Sequence, residues 1–194
     1  MDLLIKGNIK MGDNVYLFNL PPVLTCTPTD WCLRGMNGKP RCYALRNNFL
    51  FKTVKKGAKV RYELSKQDNF IDLMAEEINK KEVEYFRFHS SGDFYNESYV
   101  RKVIAIAERC PGTLFRTTTR RRDLTDVIQE LDSVPNFIVR ESLDHERQTP
   151  QMGLLFAALA SLPVSKNAYN CLEDCAKCKY HCWHQRENMS FAES

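Results

Sequence analysis

The chain has 194 residues, of which 43% are hydrophobic and eight are cysteine, and it carries a formal net charge of +4 at pH 7. This length predicts one domain, residues 1–194, with a core that needs no metal or disulfide staple to form. The composition excludes a disordered chain, the longest apolar run (residues 154–160) is far short of the ~20 residues of a membrane span, and the mild charge permits nucleic-acid contact without demanding it.

Residues 1–7 lack the long apolar core and cleavage site of a secretory signal, which predicts a cytoplasmic, reducing location. Residues 14–20 predict a strand closed by Pro21-Pro22. A loop rich in Cys, Thr, Pro and Gly follows over residues 25–40. From Cys42 the pattern turns helical through Tyr43, Leu45, Leu50, Phe51 and Val54, with Gly57 a point where that helix can break. Asp68 is a candidate N-cap for a helix with Ile71, Met74, Ala75 and Ile78 on one face. Residues 83–88 alternate as a strand and run into the turn Ser90-Ser91-Gly92-Asp93. A helix striped by Tyr99, Val100, Val103, Ile104 and Ala107 ends at Pro111-Gly112, and residues 113–118 form the next strand. Asp123 can cap a helix bearing Leu124, Val127, Ile128 and Leu131, after which residues 136–140 predict a third strand. Residues 153–162 read equally as a helix or a buried strand.

Strand, helix, strand, helix, strand at this pitch predicts an α/β fold, a parallel-sheet partial (β/α) barrel with right-handed crossovers. Its core is expected over residues 1–165, with residues 166–194 a cysteine-rich, metal-binding extension that reads as an appendage. Functional groups in such sheets sit past the C-terminal ends of the strands. Polar residues at 90–93, 117–121 and 141–144 occupy those places.

Clustered thiols in a reducing compartment read as metal ligands or catalytic groups rather than disulfides. Cys26, Cys32 and Cys42 are spaced C-x5-C-x9-C. Three thiolates on one loop can hold three irons of a cubane and leave the fourth open, whereas a structural zinc site wants four protein ligands. Cys171, Cys175, Cys178 and Cys182 are spaced C-x3-C-x2-C-x3-C, with His181 and His184 beside them, and suit either a cluster or zinc. Cys110 reads as a buried apolar residue.

The elements Thr25-Cys26, Cys42-Tyr43-Ala44, residues 86–94 and residues 178–183 resemble the phage "gene product 88" family, which implies a cluster-binding protein in the cytoplasm of a host cell. A more distant resemblance is to radical S-adenosylmethionine (SAM) enzymes, which are partial TIM barrels. It implies a three-cysteine cluster after the first strand with Tyr43 beside its last cysteine. It also implies SAM contacts from Ser90, Ser91, Gly92 and Asp93 and from Ser142 and Asp144, with one of Arg116, Arg120 or Arg121 on the SAM carboxylate. The sequence departs from that family in its first cysteine spacing, since C-x3-C-x2-C lies in the tail, and in Asp93, where Glu is usual.

Three functional classes follow. The first is an iron–sulfur protein holding one or two [4Fe-4S] clusters and acting as a radical-SAM-like enzyme on a small molecule or nucleic acid. The second is an iron–sulfur protein for electron transfer or redox sensing, served by an electron donor. The third is a zinc-stabilised nucleic-acid-binding module using Lys52, Lys55, Lys56, Lys59 and the run Arg120-Arg121-Arg122. Asp93 reads equally as a ligand contact or a turn residue, and His89 as a hydrogen-bonded residue at the core edge.

Overall fold

The computed structural model describes residues 2–35 and 37–192. Met1, Met36, Glu193 and Ser194 lie outside the described residues, so the predicted loop 25–40 and the two ends of the predicted domain are followed only up to them. Eight strands form one sheet: β1 (Ile5–Lys6), β2 (Val15–Phe18), β3 (Tyr85–Phe88), β4 (Leu114–Thr119), β5 (Phe137–Leu143), β6 (Leu155–Leu159), β7 (Tyr169–Asn170) and β8 (Met189–Phe191). Their order is β1-β2-β3-β4-β5-β6-β8-β7, so the sheet is open at β1 and β7 and does not close. Only the β1–β2 pair is antiparallel; every other neighbouring pair is parallel. The fold is mixed α/β with a mostly parallel sheet.

The strands bury alternate residues on two faces. On one face Phe18, Phe86, Phe88, Phe115, Phe137 and Val139 pack under three amphipathic helices, α3 (Phe70–Lys80), α4 (Glu97–Arg109) and α5 (Thr125–Asp132). Cys110 is fully buried in this core, as read from the sequence. The opposite face carries Val15, Leu17, Tyr85 and Ala157, together with Arg87 and Arg116, which are partners in register across β3 and β4.

Four sequence expectations are corrected. The residues after Cys42 form two 3-10 turns, Tyr43–Leu45 and Asn47–Leu50, because Asn47 takes a left-handed φ of 51°. The helix proper, α2 (Lys52–Lys66), then runs straight through Gly57, and the N-cap of α3 is Asn69 rather than Asp68. Residues 155–159 are a strand, settling the ambiguous run. The tail is no appendage: residues 169–191 supply β7, β8 and the short helix α6 (His181–His184), and lay Cys182 and Trp183 onto the second sheet face. Trp183 Nε1 donates to the Phe86 carbonyl at 3.0 Å. Arg140, fully buried in β5, donates to the carbonyls of Cys182, Gln185 and Glu187 at 3.0, 2.7 and 2.9 Å.

Candidate functional site

The loop after β2 carries the first three cysteines. It contains one short helix, α1 (Asp30–Arg34), whose N-cap Thr29 accepts from Cys32 N at 3.1 Å. The chain then turns at Gly35 and returns alongside itself, with Arg41 N and Cys42 N donating to the Cys32 carbonyl at 3.2 and 3.0 Å. The loop after β5 holds this arrangement from outside. Asp144 accepts from Thr29 Oγ1 at 2.7 Å, and Glu146 accepts from the amides of Asp30 and Trp31 at the start of α1. Carboxylates at a helix N-terminus meet amides that have no partner within the helix.

The turn after β3 is held as tightly. Asn19 Oδ1 accepts from Ser90 N and Ser91 N at 2.8 and 3.3 Å, and Ser91 Oγ donates to the Leu20 carbonyl at 2.9 Å. Gly92 has φ +78°, and a Cβ there would stand 2.6 Å from Leu20 Cβ and 2.7 Å from Thr25 Oγ1, so only glycine fits. Tyr43 donates its hydroxyl to the Ser90 carbonyl, tying the residue after Cys42 to this turn.

These segments enclose a cavity of about 410 Å³ at the C-terminal ends of the parallel strands. Cys26, Cys32, Cys42, residues 90–93 and Ser142 all line it. Among the described residues, Arg87 Nε, His89 Nδ1, Ser90 Oγ, Arg116 Nε and Arg120 Nε are buried without a hydrogen-bond partner, and all five side chains line the same cavity. Buried polar groups normally have partners, so this concentration marks the cavity as the candidate site. His89 is also left-handed, with φ 61°, an uncommon state for that residue.

The three thiols interact. Cys32 and Cys42 are coupled, and their mutual interaction raises the pKa of Cys32 and lowers that of Cys42. Cys26 lies within electrostatic reach of both; burial, then the Asp93 carboxylate, pushes it up to about 11. Arg120 is an electrostatic neighbour of Cys32 and lies 3.4 Å from Asp144. No three Cys, His, Asp or Glu side chains among the described residues stand as a ready-made ligand set for one metal ion.

Two predicted cofactor contacts are engaged in the fold. Asp93 is buried and accepts from Phe94 N at 2.8 Å, Thr119 Oγ1 at 2.7 Å and Arg120 N at 2.9 Å, joining the β3 turn to the end of β4. Asp144 is fully buried and accepts from the amides of Glu146 and Arg147 at 3.0 Å each, besides Thr29. Ser90 and Ser142 remain on the cavity wall.

Cys171, Cys175, Cys178 and Cys182 are electrostatic neighbours of one another. Burial pushes Cys175 up to about 11 and raises Cys171. His181 and His184 point to other partners: His181 bonds Glu187 at 2.8 Å and stacks on Tyr169, and His184 bonds the Tyr85 hydroxyl at 3.0 Å. The basic run is likewise paired, Arg121 with Asp123 and Arg122 with Glu141, whereas Lys52, Lys55, Lys56 and Lys59 are exposed on α2. Tyr43 and Phe51 are 43% and 59% exposed.

Sequence reasoning missed Arg87, Arg140 and the Thr29–Asp144–Glu146 brace. An arginine within an otherwise apolar strand was the available signal for the first two, but its meaning depends on strand register.

A family model for Gene product 88 matches residues 2–160, which include the first three cysteines and the cavity turns but not the tail cysteines. Searches of curated proteins and of solved structures give no match. No helix among the described residues is long and apolar enough to cross a membrane. With a match over that much of its length, strand–helix core and cysteine loop together, the chain belongs to the phage Gene product 88 family.

Proposed function

We propose that this chain is an iron–sulfur protein that holds a [4Fe-4S] cluster on Cys26, Cys32 and Cys42 and works as a radical-SAM-like enzyme in the cytoplasm of the host cell. One observation carries the reading. Three thiols from a single loop line one strand-end cavity together with the turn at residues 90–93 and with Ser142.

The donor set suits a cubane better than a single ion. Each thiolate of a cubane binds a different iron, so the thiols belong around a rim rather than at one point. Three protein ligands leave one iron open, and such a cluster supplies the electron that breaks the sulfonium carbon–sulfur bond of SAM. The open sheet with parallel neighbours from β2 to β6 is the arrangement a partial barrel would have.

The protein's own residues then have distinct tasks. Thr29 and Cys32 N fix the middle thiol, and Arg120 beside it places positive charge against the thiolates. Tyr43 ties the Cys42 segment to the SAM-side turn. Ser90 Oγ and Ser142 are on the wall to bond the methionyl part or the ribose. Asp93 and Asp144 hold the loops that shape the cavity.

The tail favours a second metal centre on Cys171, Cys175, Cys178 and Cys182, either a second cluster or zinc, because these thiols neighbour one another. A cluster protein without SAM chemistry, reduced by an electron donor and used for electron transfer or sensing, is the nearest alternative. The zinc-stabilised nucleic-acid module is less favoured, since Arg121 and Arg122 are already paired.

The test is SAM binding by anaerobically purified protein, read as a change in the visible and paramagnetic spectra of the cluster. A change lost in Cys42→Ala is expected. Iron present with no response to SAM would leave the electron-transfer reading standing and overturn the enzymatic one.

A further inference from the structure

Arg116 is 5% exposed, and among the described residues no hydrogen bond or carboxylate reaches its guanidinium. Its contact is the face of Trp183, 4.2 Å from the ring centroid. A second cation, Arg87, stands beside it in register on the neighbouring strand, with its own Nε buried and unpartnered. Arg87 is half-buried and its Nη2 donates to the Tyr43 hydroxyl at 3.4 Å. Two adjacent cations in a partly apolar cavity repel one another, and Arg116 is poorly solvated as well. Such a pair persists where an anion completes it.

The position along β4 separates Arg116 from the thiols of the first loop. Arg120, at the thiol end, lines the cavity with Cys32 and is its electrostatic neighbour, and Arg116 lies four residues earlier, about 13 Å at roughly 3.3 Å per residue. The charged neighbours of Arg116 are Arg87 and the tail thiols Cys182, Cys175 and Cys171. A group that met Arg116 would therefore lie deep in the cavity, away from the Cys26–Cys32–Cys42 rim.

The geometry points to an anion-binding site on Arg116 and Arg87 that takes the carboxylate or phosphate of a second small molecule, the substrate, rather than the carboxylate of SAM. Arg116 forks onto two oxygens of the anion, Arg87 supplies further charge, and Trp183 holds the Arg116 plane in place. The assignment names the substrate class for the cavity of the proposed enzyme, but the anion site does not depend on iron. Loss of phosphate binding with iron retained, and loss of iron with phosphate binding retained, are separate failures.

The test uses the full-length, anaerobically purified protein, with inorganic phosphate, succinate and SAM as probes in parallel calorimetric and thermal-melting titrations. Phosphate or succinate should raise the melting midpoint of the wild-type protein. Arg116→Met should weaken that binding at least tenfold, raise the midpoint of the ligand-free protein by removing an unpaired buried charge, and leave SAM affinity unchanged. Arg116→Lys, which keeps the charge, should retain weakened anion binding and guards against misfolding as the cause. Three results would each overturn the assignment. The first is no response of the wild type to phosphate or succinate. The second is an anion response equal in Arg116→Met. The third is a selective loss of SAM affinity, which would give the pair to the SAM carboxylate. If the first result comes with loss of metal from the tail thiols in Arg116→Met, the arginine is only their counter-charge.

Discussion

Thr29 and Asp144, 115 residues apart in the chain, are joined by a 2.7 Å hydrogen bond from Thr29 Oγ1 to Asp144 Oδ2. The same Thr29 oxygen accepts from Cys32 N, so the loop after β5 positions the middle cysteine of the first group through one hydroxyl. Thr29→Val removes the cap and leaves a buried carboxylate short of a partner. It should cost about 2 kcal/mol in urea unfolding and lower the iron retained per chain. Thr29→Ser should recover most of both.

Gly92 tests the β3 turn. Its φ of +78° and the 2.6 Å approach of a built Cβ to Leu20 make Gly92→Ala strained in both conformation and space. The expected loss is about 2 kcal/mol or more in chemical denaturation. A variant as stable as the wild type would mean the turn is not packed as described.

Arg140 tests the tail. Its guanidinium holds the carbonyls of Cys182, Gln185 and Glu187, and no other described side chain does so much to pin that segment to the sheet. Arg140→Met should destabilise by about 3 kcal/mol or more, since three carbonyls lose a charged donor. Limited proteolysis should then cut first within residues 171–187.

His89 gives the pH dependence. Burial, and after it the charge of Arg87, pushes its pKa down to about 3, against about 6.5 in an unfolded chain. Between those values the unfolded chain binds the extra proton, so stability rises with pH. The contribution is fully present above about pH 6.5 and is lost as pH falls toward 3. His89→Asn, chosen because asparagine tolerates a left-handed backbone, should flatten that part of the stability–pH curve relative to wild type. An unchanged slope would contradict a buried neutral histidine.

The strand–helix core was legible because its signals are local. Alternation over residues 83–88 and the stripes of α4 and α5 are properties of single segments, and each lies within a few residues of its predicted place. The tail was not legible for the opposite reason. Strands β7 and β8 have two and three residues, too few for any periodicity, and β8 finds its place only by pairing with β6. The cysteines could be picked out by spacing, and the structure lays the first three on one cavity. The roles of Asp93 and Asp144 could not be read, because their partners Thr119 and Thr29 are 26 and 115 positions away. The Arg87–Arg116 pair was hidden too, since it exists only through the register of β3 with β4.

The central claim is that the first three cysteines hold a cluster, and the most direct measurement is iron and acid-labile sulfide per chain in anaerobically purified protein, wild type beside the triple variant Cys26→Ala, Cys32→Ala, Cys42→Ala. The account predicts brown wild-type protein and a loss of about four irons and four sulfides in the variant, whatever the tail retains. Equal iron in the two proteins, or colourless wild-type protein that binds zinc and fails anaerobic reconstitution, would contradict it.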